Sequence, residues 1–190
     1  MGAEQLPTRP PRADAVRNRD RLVLAARAVL AARGGEASME EIARTAGVGV
    51  GTLYRHFPRR IDLVEAVYRE DVDALVVLAD TVAADLGPWP SLVAWLNGFV
   101  RYAQAKRNFL NELHEAFEKT PDLALSSREK IFGAAGKVLV RAQEDGSARP
   151  DLAPADLMQL ISGMCMTRTL TLEQNERLLL LVLDGIKAQS

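Results

Sequence analysis

The stretch from Ser38 to Asp62, SMEEIARTAGVGVGTLYRHFPRRID, constrains this chain more than any other. Ser38 is suited to cap a helix, and Glu41, three residues on, completes a capping box. Ile42 and Ala46 then face inward and Gly47 ends the helix. Gly47-Val48-Gly49 allows a tight turn into a second short helix, about Val50 to His56, which Pro58 cannot continue. Leu53 and Phe57, four apart, fix that second helix to a core through one face. Thr52, Tyr54, Arg55 and His56 project elsewhere, a dense set of hydrogen-bond donors on a very short helix.

The remaining chain reads as helix throughout. Leu22, Ala25, Ala26, Val29 and Leu30 recur at helical spacing, which predicts a first helix from about Ala15 to Arg33, stopped by Gly34 and Gly35. Met1 to Ala15 is rich in Pro and Arg and is expected to be a disordered arm. A long fourth helix, from near Arg60 to about Leu86, carries Ile61, Leu63, Val64, Val67, Tyr68, Val72, Leu75 and Leu78. Gly87-Pro88-Trp89-Pro90 breaks it, Ser91 is expected to cap a fifth helix through about Ala105, and Asn108 a sixth that ends at Thr120-Pro121. A seventh covers about Asp122 to Gln143, Pro154 sits in the first turn of an eighth, and Glu173 begins a ninth. No segment alternates like a strand and no repeat is evident, so the fold class is all-α.

Net charge is −1, yet residues 1–60 hold eleven arginines against six acids, a balance of +5, and residues 61–190 carry −6. A basic head on an acidic body is the asymmetry expected when one end alone meets phosphate. Two helices about a tight turn, with the second presenting hydroxyls, an imidazole and Arg55, match the requirements of a helix-turn-helix reading the major groove. Hydroxyls and imidazole suit phosphate oxygens, and Arg55 suits a phosphate or a guanine edge. The N-termini of the helices opened by Ser38 and by Arg59-Arg60 offer free N–H groups to phosphate, and Arg9, Arg12, Arg17 and Arg19 add an arginine-rich arm. The competing reading of the same spacing is a structural helical hairpin with a solvated basic face. No Gly-rich phosphate loop, nucleophile elbow or His-Glu metal motif is present, which argues against an enzyme. One cysteine, Cys165, excludes an intrachain disulfide and fits a reducing cytoplasm. There is no apolar run that would serve as a signal peptide or membrane span.

Glu41-Ile42-Ala43-Arg44-Thr45-Ala46-Gly47-Val48, followed by Gly51-Thr52-Leu53-Tyr54-Arg55-His56-Phe57-Pro58, resembles the DNA-binding domain of the TetR family of bacterial transcriptional repressors. The resemblance covers about residues 16–65. It implies nine or ten helices, of which the first three and the start of the fourth bind DNA; after the arm (1–15) the expected domains are a helix-turn-helix DNA-binding domain (16–62) and a larger helical effector-binding and dimerisation domain (63–190). It implies that Thr52, Tyr54 and His56 contact phosphates or bases, with Val48, Gly49, Val50 and Arg55 beside them, and that Arg60 takes the place of a phosphate-contacting lysine; Ser38 joins this set through its helix N-terminus. Gly49 departs from the serine the family often has there. The implied partners are a double-stranded operator and a second copy of the chain, with no cofactor, no metal and no membrane.

Such regulators are switched by a small molecule inside the C-terminal helices. Tyr68, Trp95, Phe99, Tyr102, Phe109, Leu113, Phe117, Met158, Ile161 and Cys165 lie on helix faces that would together line a cavity for an apolar or aromatic effector. Tyr68, Asn97, Gln104, Asn111 and His114 are possible polar handles; the alternative for each aromatic is ordinary core. His114 with Glu115 and Glu118 resembles a metal set, which a chain with two histidines makes a poor one. Cys165 reads as a redox sensor or, on an apolar face, as core. The last two helices are the expected dimer interface, with Leu157, Leu160, Ile161, Met164 and Arg168 on one and Leu178, Leu179, Leu181, Val182 and Ile186 on the other. A helix apolar nearly all round is buried on more than one side. The rival is a helical module that binds a protein partner through this face and ignores DNA.

Overall fold

A computed structural model describes residues 11–167 and 169–188. Met1 to Pro10 of the expected arm, with Arg9, lie outside the described residues, as does Arg168; Arg12 lies in a helix whose first side chains are not described. The first helix, α1, spans Pro11–Arg33, so residues 11–15 are helical and not part of a loose arm. It is followed by α2 (Met39–Ala46), α3 (Val50–His56), α4 (Arg60–Asp85), α5 (Pro88–Lys106), α6 (Leu110–Lys119), α7 (Pro121–Glu144), α8 (Pro154–Met166) and α9 (Leu172–Ile186). Short 3-10 turns at Gly34–Glu36 and Arg107–Phe109 precede α2 and α6. There is no strand among the described residues, only an isolated bridge between Ala148 and Lys187. Nor is any described helix long and apolar enough to cross a membrane.

The ends of α2 form as its residues dictate. Ser38 Oγ accepts from the Glu41 N–H at 3.0 Å. The Glu41 carboxylate turns to Arg33 (3.4 Å) instead of closing the expected box, because the end of α1 brings that cation within reach. Gly47 adopts φ 63°, a left-handed conformation costly to other residues. Its N–H bonds Arg44 O and the Val48 N–H bonds Ala43 O, each at 3.0 Å. This paired closure satisfies carbonyls that the helix end would strand.

Two expected caps are differently placed. Gly87 is the N-cap of α5, and Pro88 and Pro90 lie inside its first turn, where a missing N–H costs nothing. Ser91 is therefore buried within the helix, its Oγ donating to Val82 O at 2.8 Å. Phe109 is the N-cap of α6. Asn108 instead donates its side-chain amide to Ala31 O of α1, a tertiary partner that no local pattern reveals.

The helices share one continuous apolar core running from Leu22 to Ile186. Helix α4 leaves the three-helix head and enters the body, packing on α1 at one end and on α5, α6 and α7 along its length. Helix α5 is central to the body and touches α4, α7, α8 and α9. Head and body also meet at Gly34, φ 55°, where an added Cβ would stand 2.0 Å from Asn108 O. Backbone approaches that close only because glycine has no side chain.

Candidate nucleic-acid interface and interior cavity

In α3, Leu53 and Phe57 are buried against the head's core, and the Arg19 guanidinium lies 5.8 Å from the Phe57 ring centroid. That anchoring leaves Gly49, Val50, Gly51, Tyr54 and Arg55 exposed, with Val48, Thr52 and His56 half-buried at the flanks and Ser38 exposed at the start of α2. Tyr54 keeps 42% of its surface in solvent, a large amount for an aromatic side chain with no functional partner. Among the described residues, Arg44 and Arg55 make no ion pair or side-chain hydrogen bond. The face therefore combines unspent guanidinium and hydroxyl donors on a short, rigidly seated helix.

Arg17, Arg19, Arg59 and Arg60, expected at DNA, are committed within the chain. Arg17 pairs with Asp14, and Arg19 with Glu70 at 3.0 Å. Arg59 binds Asp62 (Nε–Oδ1 3.0 Å), whose carboxylate also accepts the Arg59 N–H at 3.0 Å. The Arg59 hydrogen bond holds the Asp62 carboxyl below its ordinary range, so a carboxylate fills the place where phosphate was expected at the start of α4. Arg60 turns inward rather than toward a groove. It donates to Gly34 O at 3.1 Å, to Ala37 O, and to Glu112 Oε1 of α6 at 3.1 Å. Its partners sit far away in sequence and bind head to body.

In the body, a cavity of about 470 Å³ opens among α4, α5, α6, α7 and α8. Of the ten expected residues, Tyr68, Phe99, Tyr102, Leu113, Phe117, Met158 and Cys165 line it. Trp95, Phe109 and Ile161 are fully packed core instead; the Trp95 indole N–H donates to Leu75 O at 2.9 Å, so its polar edge already has a partner. Asn97 donates to Val93 O, Gln104 accepts from Arg107, and Asn111 and His114 are exposed, so none of these four faces the cavity. His114 lies 3.4 Å from Glu118 on the surface while Glu115 pairs with Lys119. Among the described residues, no cluster of three or more histidines, cysteines or carboxylates is placed to hold a metal. Burial pushes the Cys165 thiol up to about 11, which leaves little thiolate to oxidise at neutral pH.

Lys106, Arg128, Gln159 and Ser162 also line the cavity and were not expected there. Lys106 is 5% exposed. A lysine at the end of an amphipathic helix ordinarily reads as solvated; here Tyr68 and Asp71 of α4 and Tyr102 of its own helix close around it.

On the outer face of the last two helices, Leu160, Leu180 and Leu181 are 51%, 60% and 68% exposed. Met164, Leu178 and Val182 are half-buried beside them. Leu170, Gln174, Arg177, Leu178, Leu180 and Leu181 outline a shallow apolar groove. Leu157, expected at an interface, faces its own core, as do Ile161, Leu179 and Ile186. The inward side of each helix packs on α5 or α7 and takes those positions.

Residues 22–67 match the profile of the tetR family of bacterial regulatory proteins. Residues 87–188 match that of the C-terminal domain of SbtR-like transcriptional regulators. A TetR transcriptional regulator from Streptomyces coelicolor is 37% identical, covering 90% of this chain and 99% of that one, and its crystal structure superposes with a TM-score of 0.82. A TetR regulatory protein from Mycobacterium vanbaalenii is 34% identical over 94% of this chain and 100% of its own, with a TM-score of 0.76. An HTH-type transcriptional regulator of Staphylococcus aureus is 40% identical over 52 residues, 27% of each protein. The match to this curated relative thus spans about a quarter of its length.

Proposed function

This chain belongs to the TetR family of bacterial transcriptional regulators, and from that premise we propose that it acts as a homodimeric repressor, released from a palindromic operator by a small-molecule effector. It is a DNA-binding regulator and not an enzyme. The observation that carries the finer reading is α3 itself, seated through Leu53 and Phe57 while Tyr54 and the unpaired Arg55 face outward. Tyr54, Thr52 and His56 donate to phosphates, Val48, Gly49 and Val50 lie along bases, and Arg55 reads a base edge. Ser38 adds a hydroxyl at the start of α2. The site of action is the cytoplasm, where the operator is.

A two-fold regulator needs its reading helices spaced by whole turns of duplex, roughly 34–36 Å for one turn. The exposed leucines of α8 and α9 supply the self-complementary face that such a dimer buries. The cavity at α4 to α8 receives the effector. Helix α4 joins cavity to head, and the Arg60–Glu112 pair and the Gly34–Asn108 approach tie α6 and its preceding turn to the same head. A ligand that favours one cavity shape therefore changes head spacing, provided that it binds the two states unequally. Selection of random-sequence duplexes on the purified protein tests this reading. Enrichment of an inverted repeat supports it; enrichment of nothing, with the protein monomeric, favours a helical interaction module.

A further inference from the structure

Among the described residues, Lys106 is the one buried cation that lines the cavity. Its Nζ has no hydrogen-bond partner among the described residues. The nearest carboxylate oxygen, Asp71 Oδ2, is 3.7 Å away, beyond hydrogen-bond reach. Two aromatic rings hold the ammonium from the sides, Tyr68 at 4.0 Å and Tyr102 at 3.9 Å from their centroids. A buried ammonium with open donors is costly in a finished core. Here it stands at the wall of an apolar space whose volume falls within the roughly 300–1,000 Å³ common for small-ligand sites.

Building on the effector reading above, we propose that the cavity takes an apolar carboxylic acid, its chain or ring among Phe99, Leu113, Phe117 and Met158 and its carboxylate on Lys106. A carboxylate supplies the acceptors that the ammonium lacks, through charge-assisted hydrogen bonds. It also supplies a counter-charge that Asp71 does not give fully, because Asp71 is shared with Arg27 of α1 (Nε–Oδ1 2.5 Å). Lys106, Asp71 and Arg27 form a short ionic chain from the cavity to the head. An acid seated on Lys106 competes with Asp71 for the ammonium and so alters the charge balance at a contact of the DNA-binding domain.

The groups facing Lys106 are Tyr68 and Asp71 from α4, Tyr102 from its own helix and Arg27 from α1; Cys165 of α8 and Arg128 of α7 share the cavity wall. Burial brings the ammonium down to about 7, against the pull of Asp71. Burial likewise raises Tyr102, and Cys165 stands near 11. Between pH 6 and 9, Lys106 therefore changes charge.

The test is calorimetric titration of the full chain with decanoate, 2-naphthoate, and the uncharged decanol and 2-naphthamide. At pH 6 the acids should bind at least about tenfold more tightly than their neutral counterparts. That margin should shrink at pH 9. At pH 8, titration in two buffers of different ionisation enthalpy should show proton uptake with the acids only. Lys106→Met should abolish the preference while still binding decanol, whereas Arg128→Gln at the rim should retain it. Equal binding of acid and neutral probes, or a preference that survives Lys106→Met, overturns the proposal and leaves the cavity as an effector site. Binding of no probe overturns both.

Discussion

Replacing Lys106 with methionine should stabilise the protein at neutral pH, and the gain should fade as pH rises. The side chain passes from 10.5 when solvated to about 7 when folded, chiefly through burial. At about 1.36 kcal/mol per pH unit this corresponds to at most ~5 kcal/mol of unfavourable burial. Buried charges replaced by apolar groups of like volume commonly yield about 1–4 kcal/mol, and we expect a value in that range, because the two flanking rings and Asp71 offset part of the cost. The sign follows from proton binding. The folded pKa lies below the unfolded one, so between about 7 and 10.5 the unfolded state holds more protons at this site. Stability of the parent protein therefore rises with pH across that window relative to the variant, and from pH 7 to 9 the gap should narrow by ~2 kcal/mol. Urea unfolding followed by circular dichroism, at fixed protomer concentration and at pH 7 and 9, reads this directly. A gap that does not change with pH, or a variant less stable than the parent at both, would refute the assignment of a buried, weakly compensated ammonium.

Arg55→Ala should change which operator bases are preferred, whereas Tyr54→Phe should weaken binding to all duplexes by a similar factor; parallel selections and titrations on the two variants separate these outcomes. Leu160→Glu with Leu181→Glu places charge on exposed positions of α8 and α9 and should leave a folded monomer by sedimentation that no longer holds a two-fold site. Gly34→Ala demands φ 55° from alanine and a Cβ 2.0 Å from Asn108 O; it should cost more than about 1 kcal/mol and lower the melting temperature. A neutral outcome there would mean that the head moves freely on the body.

Local signals were legible where neighbours in sequence decide the structure. Ser38, Gly47 and Pro58 set the ends of α2 and α3, and the Leu53–Phe57 spacing chose the buried face. Ser91 was misread as a cap because Pro88 and Pro90 are themselves compatible with a first helical turn. Arg60 was expected at phosphate and Asn108 at a helix cap, since Glu112 and Ala31 reach them only through tertiary packing. Lys106 was missed for the same reason: its burial belongs to the helices that cover it. Aromatic spacing identified much of the cavity wall, yet did not separate Phe99, which lines it, from Trp95, which stacks on Phe99 at 5.8 Å within the core.

The central claim, a dimer that reads DNA through α3, is tested most directly by fluorescence anisotropy of the selected duplex across a range of salt concentrations, with stoichiometry measured in the same samples. With Arg55 at a base edge, Arg44, unpaired among the described residues of each protomer, supplies two phosphate-neutralising cations per dimer and a slope of log K on log salt of about −1.8 or steeper. The account predicts that slope with two protomers per duplex. A slope near zero, or one protomer bound with no preference over random sequence, would contradict it.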